Sequence, residues 1–396
     1  MNIRKLLDSF GRRDSALPKP QTSVDERALV PTLLGVAVDV SGSMRESIRN
    51  AGAADLSRFD GVGRGFDALL ADSRRLAQTC GGQAMLPLRV FSYAFGLSLD
   101  PGYADLLGIL TLAGSLADNQ DFQAYLEQVK NNRRQEAERK GEAMRRQASQ
   151  FSGLASLARS RGFGSVVDSY TKVTEDDVRR RLTLEAEEGV RQDVVTYLRK
   201  HIPDTTLSVD DLTALWGRGG GTFQGAGQFM YGSTPMCSCL REVVLRFKRE
   251  KVAGAGSNEK RLLLLISDGE PTDGDPGELG EELRKSGIHV ACVFVTNRDV
   301  RAPRNLPGRP EDNWPKGANL LFDMATPVEC AASGLLDAKT DWRTILENSG
   351  WTVSPGARLF IQANHSETLA DFMRVVATAF PAKGVLQALR QTIETK

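Results

Sequence analysis

Short, continuous apolar runs alternate along this chain with stretches whose apolar residues recur at helical spacing. Residues 33–39 (LLGVAVD), 261–267 (RLLLLIS) and 288–296 (IHVACVFVT) are too short for ordinary helices and read as strands buried on both faces, where alternation with polar residues is not needed. PLRVFSYAF (87–95) is strand-like through its β-branched and aromatic content, with Pro87 suited only to its start. Helical periodicity marks residues 58–79, MCSCLREVVLRFKRE (236–250) and GELGEELRKSG (277–287), the last with Gly287 placed as a C-terminal cap. ARLFIQANHSETLADFMRVVATAF (357–380) reads as a last strand, a loop and a helix that Ser366 opens in a capping-box-like SETL. Strands alternating with helices in this way predict an α/β fold: a mostly parallel sheet covered on both faces. Ligands of such sheets sit beyond the carboxyl ends of the strands, and both Asp39 and Asp268 stand at such ends.

Two long segments interrupt the alternation. From about 97 to 215 the chain turns to charged helical patterns with few β-formers, which we read as a helical insertion. Within it TEDDVRRRL predicts a helix start at Thr174, whose hydroxyl can cap free amides while three acids oppose the helix dipole. WGRGGGTFQGAGQFMYGSTPM (216–236) is dense in glycine, and 297–356 is rich in Pro and Gly without clear periodicity. The predicted organisation is an arm or linker over 1–30, the α/β domain in two parts (31–96 and 216–296) around the helical insertion (97–215), an irregular insertion (297–356), and the last strand with C-terminal helices (357–396).

Composition narrows the function classes. The 51 Lys and Arg against 50 Asp and Glu leave a formal net charge of +1, so the molecule as a whole has no electrostatic signature of a nucleic-acid or membrane-surface binder. Its 396 residues suffice for a large core. Five scattered cysteines (Cys80, Cys237, Cys239, Cys292, Cys330) lack the pairing of a disulfide framework or a zinc site, as expected of a protein in a reducing cytoplasm. MNIRKLLDSFGRRDS lacks the apolar core of a signal peptide, and no apolar run approaches the roughly 20 residues of a membrane span.

The chemistry concentrates in DVSGSM, which follows the first strand. Asp39, Ser41 and Ser43 are two residues apart, so an extended or turning backbone sends their oxygens to one side, and Gly42 allows a tight bend between the serines. Oxygen ligands without sulfur or imidazole suit a hard cation, Mg²⁺ first, with Mn²⁺ or Ca²⁺ as alternates. D-x-S-x-S after a first strand resembles the opening motif of the von Willebrand factor type A (vWA) domain and its metal-ion-dependent adhesion site (MIDAS). YGSTPMCSCL supplies Thr234 in the Gly-x-Thr-Pro setting of bacterial members, and LLLLISDGEPTD supplies Asp268 in the family's strand-then-Asp-Gly context, all three motifs in the expected order.

The resemblance implies a Rossmann-like, doubly wound sheet and a metal site of Asp39, Ser41, Ser43, Thr234 and Asp268. It further implies that the hydroxyls bind the ion directly while the two aspartates act through water or hydrogen bonds, leaving an open position for an Asp or Glu from a partner protein. The wording SDGEPTDG and GSTPM is similar to the tellurite-resistance Y-like (TerY-like) branch. That branch implies a bacterial, cytoplasmic, non-enzymatic interaction module working beside kinase and phosphatase partners in stress response or phage (antiviral) defence, and other members of the family act beside MoxR-type ATPases. GGGTF offers Thr222 as a competitor to Thr234, which is preferred because a helical pattern follows it directly.

Other readings remain in view. A metal-dependent hydrolase or phosphatase would use Asp268 or Asp273 as base, yet no G-x-S-x-G, Cys-His pair or H-E-x-x-H is present. A nucleic-acid adaptor would use the basic stretch Lys130–Arg161, but interspersed Glu136, Glu138 and Glu142 favour a solvated helical face. The glycine-rich 217–227 stretch lacks the Gly-Lys-Ser/Thr ending of a phosphate loop. His289, in an apolar strand, reads as a core residue, and Cys237 with Cys239 at a helix start cannot readily face one ion.

Overall fold

The computed structural model describes residues 32–50, 54–79, 88–98, 101–116, 119–150, 164–218, 232–250, 260–329 and 342–378. In chain order these form β1 (Thr32–Asp39), a 3-10 turn (Gly42–Arg45), β2 (Ser47–Ile48), β3 (Leu56–Ser57), α1 (Arg58–Thr79), β4 (Leu88–Phe95), β5 (Tyr103–Asp105) and α2 (Leu106–Leu116). There follow α3 (Gln120–Gln150), α4 (Gly164–His201), β6 (Leu207–Ser208), α5 (Val209–Arg218), α6 (Met236–Arg249), β7 (Lys260–Ser267), α7 (Gly277–Lys285) and β8 (Ile288–Val295). The remaining elements are β9 (Asn305–Leu306), α8 (Lys316–Met324), α9 (Trp342–Asn348), β10 (Thr352–Val353), β11 (Phe360–Ala363) and α10 (Ser366–Thr378).

One sheet organises them, in the order β11-β8-β7-β1-β4-β5, with β6 also paired to β4. The pairings from β11 through to β4 are all parallel, and only the short β5 and β6 run antiparallel. The chain leaves β1 toward β4 on one side and returns to β7 and β8 on the other. The fold is therefore doubly wound α/β, with its reversal point at the carboxyl end of β1, the place where such sheets bind their ligands.

The apolar run of β1 is continuous because both sheet faces are covered. Leu34, Val36 and Val38 point into a core shared with α1, α5, α9 and α10. Leu33 and Ala37 point into the opposite core, shared with α6, α7 and α8. Between them, Gly35 leaves the space that Phe91 and Phe247 occupy, their rings edge to face at 4.9 Å; a Cβ there would lie 2.6 Å from Phe91 Cζ.

The segment 97–215 holds more than the helices read from its pattern. It contains β5 and β6, which extend the sheet, α2, and most of α5, which runs on to Arg218; Leu106 and Leu107 of α2 and Leu212 and Trp216 of α5 enter the core. Strands of two or three residues are too short to leave a period in the sequence. What projects from this base is the pair α3 and α4, joined by a bidentate Arg133–Asp193 contact (2.6 and 2.8 Å) and by stacked Tyr125 and Tyr197 rings at 4.1 Å. At its root Asp105 accepts the amides of both Gly108 and Thr205 at 2.7 Å, holding the outgoing and returning chain together. Thr174 is not a helix start: α4 begins at Gly164 and runs through it, because the upstream residues continue the helix and the acids extend it. The stretch 297–356, irregular by sequence, contains α8, α9 and the parallel pair β9/β10.

The basic face of α3 is solvated and paired. Lys130 meets Glu127, Arg134 meets Glu138, and Lys140 meets Glu136, each within one helical turn. His289 is buried in β8, edge-on to Trp342, as expected of a core residue. No helix among the described residues is long and apolar enough to cross a membrane.

Candidate metal centre

The carboxyl ends of β1 and β7 are neighbours, so the loops that follow them converge. Asp39 is the last residue of β1 and fully buried. Its Oδ1 accepts the Ser41 amide at 2.8 Å, folding the chain back on itself, and its Oδ2 accepts the Ser267 hydroxyl at 2.6 Å from the end of β7. Ser41 Oγ and Ser43 Oγ lie 3.2 Å apart, and the Ser43 hydroxyl donates to Asp268 Oδ1 at 2.7 Å. Four of the five residues proposed from sequence thus form one connected cluster across more than two hundred positions of chain.

The fifth, Thr234, is buried just before α6. Its carbonyl accepts the Thr272 amide at 2.9 Å, which ties its loop to the loop carrying Asp268, and a Cβ on Gly269 would lie 3.9 Å from its Oγ1. Its hydroxyl therefore stands beside the Asp268 loop. Thr222 lies outside the described residues, as do residues 1–31.

A further loop closes on the cluster from β4. Gly96 has φ +92°, a conformation open to glycine, and a Cβ there would sit 2.4 Å from the Ser41 nitrogen. Its carbonyl accepts the amide of Gly232 at 2.7 Å, so the same residue braces the serine loop and the approach to Thr234.

Electrostatics favour a cation here. Burial pushes the Asp39 carboxyl up to about 6, and the nearby Asp268 charge adds to the rise, against hydrogen bonds from Ser267 and Ser41 that lower it. The donor set is two carboxylates and three hydroxyls, with the serine oxygens spaced near the ~3 Å edge of an octahedron of Mg²⁺–oxygen bonds. Among the described residues no group of three or more His, Cys, Asp or Glu that could hold a metal is gathered, so an ion here would depend on the hydroxyls as much as on the two carboxylates. The residues fit such an ion.

Sequence reasoning missed Arg58. Its side chain is 6 % exposed, and Nη1 meets Asp268, whose side chain is wholly covered, at Oδ2 (2.5 Å) while also donating to the Ser43 carbonyl at 3.3 Å. Nη2 meets Glu46 at 2.7 Å. A signal was present: Arg58 is the first residue of α1, where a cation adds to the positive end of the helix dipole and so asks for a compensating anion.

Asp273 has a different job from its neighbour. Its two oxygens accept the amides of Cys237 (3.0 Å) and Ser238 (2.7 Å), capping the start of α6. Burial works to raise its pKa, but those amides outweigh it and hold the carboxyl below its ordinary value. Beside it, burial first and the Asp273 charge second push the Cys237 thiol up to about 11, far from the thiolate a metal would need.

No family model matches the chain, and no curated protein does. Among solved structures it is similar to the pilus adhesin SpaC from Lactobacillus rhamnosus GG, with a TM-score of 0.40 and 10% identity over 89% of this chain and 30% of the adhesin. It is also similar to the conserved hypothetical protein BatB from Bacteroides thetaiotaomicron, with a TM-score of 0.29 and 11% identity over 67% of this chain and 66% of that one. The chain thus spans under a third of the adhesin's length. At these scores the likenesses carry no weight for the site, and the α/β fold rests on the strand order itself.

Proposed function

We propose that the protein is a vWA-type interaction module in which Ser41, Ser43 and Thr234 hold a divalent ion, Mg²⁺ first, backed by Asp39 and Asp268, and that a carboxylate of a partner protein completes the coordination. The observation that carries this reading is the meeting of Asp39, Ser41, Ser43 and Asp268 in one hydrogen-bonded cluster at the sheet's reversal point. Neutral hydroxyls orient lone pairs without cancelling the ion's charge, while the two aspartates supply compensation through hydrogen bonds. Such an ion retains affinity for an external anion. The ion, when bound, supplies a positive bridge between two carboxylate-bearing surfaces.

The reading extends to a bacterial cytoplasmic setting close to the tellurite-resistance Y-like branch, beside kinase and phosphatase partners or a MoxR-type ATPase in stress response or phage defence. The support for that extension is the wording of the SDGEPTDG and GSTPM loops. A non-enzymatic role is favoured over hydrolysis because both aspartates named as possible bases are committed: Asp268 to Ser43 and Arg58, Asp273 to the amides of α6.

Calorimetric titration with Mg²⁺ and Mn²⁺, run with and without an excess of an acidic peptide, tests the proposal. Uptake by the wild-type chain, lost in Asp39→Asn, is the expected result. Absence of uptake under both conditions, or turnover of a phosphoester panel that depends on Asp39, overturns it.

A further inference from the structure

Resting on that metal reading, we propose that Arg58 is a built-in counter-cation that competes with the divalent ion for Asp268, so that metal is taken up tightly only when the guanidinium is drawn outward. The arrangement is asymmetric. Inward, Nη1 contacts Asp268 Oδ2, on a carboxylate with no exposed side-chain surface whose other oxygen already accepts from Ser43. Outward, Nη2 contacts Glu46, whose side chain is 54 % exposed and also accepts from Asn297 Nδ2 at 3.4 Å. The Arg58 backbone amide is fixed to the Glu46 carbonyl at 2.9 Å, so the backbone stays while the side chain can swing between the two acids.

Two physical points make this a competition and not a plain structural ion pair. First, a fixed positive charge on Asp268 repels a divalent ion held by Ser41 and Ser43 and occupies a carboxylate on which that ion would draw. Second, Arg58 Nε is buried without a hydrogen-bond partner among the described residues. The guanidinium is thus anchored through its two Nη groups, one to each acid, and Nε ties it to neither position. A partner carboxylate approaching beside Glu46 presents a second anion to the same guanidinium. Binding of the ion and of an acidic partner are then positively coupled, because each favours the outward position of one side chain.

The test is Mn²⁺ affinity, measured with the ion alone on the full chain for wild type, Arg58→Gln, Arg58→Lys and Asp39→Asn. Arg58→Gln is expected to bind Mn²⁺ at least about tenfold more tightly than wild type, and Arg58→Lys, which keeps the charge, to stay near wild type. If wild type binds and Asp39→Asn does not, but Arg58→Gln binds equally or more weakly, the competition is wrong while the metal reading stands. If neither wild type nor Arg58→Gln binds, the metal reading itself fails. A measurement on the unaltered chain decides the case should Arg58→Gln not fold. Saturating Mg²⁺ is expected to shift the Arg58 guanidinium nitrogen resonances and speed exchange of the protons on Nη1, and resonances unmoved at saturation overturn the proposal.

Discussion

Asp39 shows how much of the candidate site one side chain carries. It ends the central strand, turns the following loop through the Ser41 amide and receives the Ser267 hydroxyl from β7. Asp39→Asn keeps the volume and an acceptor for the Ser41 amide while removing the charge. We expect binding of Mn²⁺ and of native partners to be lost with the melting temperature changed by only a few degrees, because desolvation of the carboxylate is relieved by the same substitution; melting curves and metal-dependent pull-down check both halves. Gly96→Ala should do the reverse kind of damage. Its new methyl meets the Ser41 backbone, so the serine loop must shift or φ +92° be abandoned, at a cost of about 1–3 kcal/mol, and Mn²⁺ affinity should fall although no ligand was touched. At this scale the sequence was legible where chemistry follows local spacing, as in DVSGSM. Arg58 was half legible: its place at a helix start asks for an anion, but no local pattern says that the anion is Asp268, more than two hundred residues away.

At the level of elements, long apolar runs were legible and short ones were not. The strands at 32–39, 88–95, 260–267 and 288–295 announce themselves because both faces of each are buried. β5 and β6 owe their existence to the exposed flank of β4 and to the Asp105 clamp, neither of which leaves a periodicity. Among the described residues the pair α3 and α4 is joined by Arg133 with Asp193, by the Tyr125 hydroxyl donating to the Asp193 carbonyl, and by the Phe122, Tyr125, Tyr197 and His201 rings. Tyr197→Ala should therefore lower hydrogen-exchange protection in α3 and α4 several-fold while leaving β1, β7 and β8 protected as before. Equal loss of protection in the sheet would mean that the pair and the sheet open as one unit.

For the whole molecule, buried groups pull acid stability in opposite directions: His289 works against Asp105, and Asp39, raised by burial in the same way, acts with Asp105. Burial, reinforced by the Lys260 charge, lowers His289 to about 4, so the unfolded chain takes up a proton there from pH 6.5 downward and stability is lost as pH falls from 6.5 through 4. Burial raises Asp105 to about 6 from 3.8 against its two amide hydrogen bonds, so the folded chain is the one that takes up the proton, and stability is lost as pH rises from 3.8 through 6. The His289 and Asp105 effects are each on the order of 3 kcal/mol and run in opposite directions over nearly the same window. Relative to wild type, His289→Phe should gain stability progressively between pH 6.5 and 4, and Asp105→Asn should lose it progressively between pH 6 and 3.8. Denaturant midpoints measured across that range check both slopes, and parallel curves for variant and wild type would refute the assignment.

The position of β1 has a mechanical meaning. It is flanked along its whole length by parallel neighbours, in eight register pairs with β4 and seven with β7. A tug on the loop beyond Asp39 along the strand axis loads both ladders together in shear, whereas a strand at the rim would have a single ladder to share the load. Load arriving at that loop is thereby divided between two ladders before either neighbour can part from the strand.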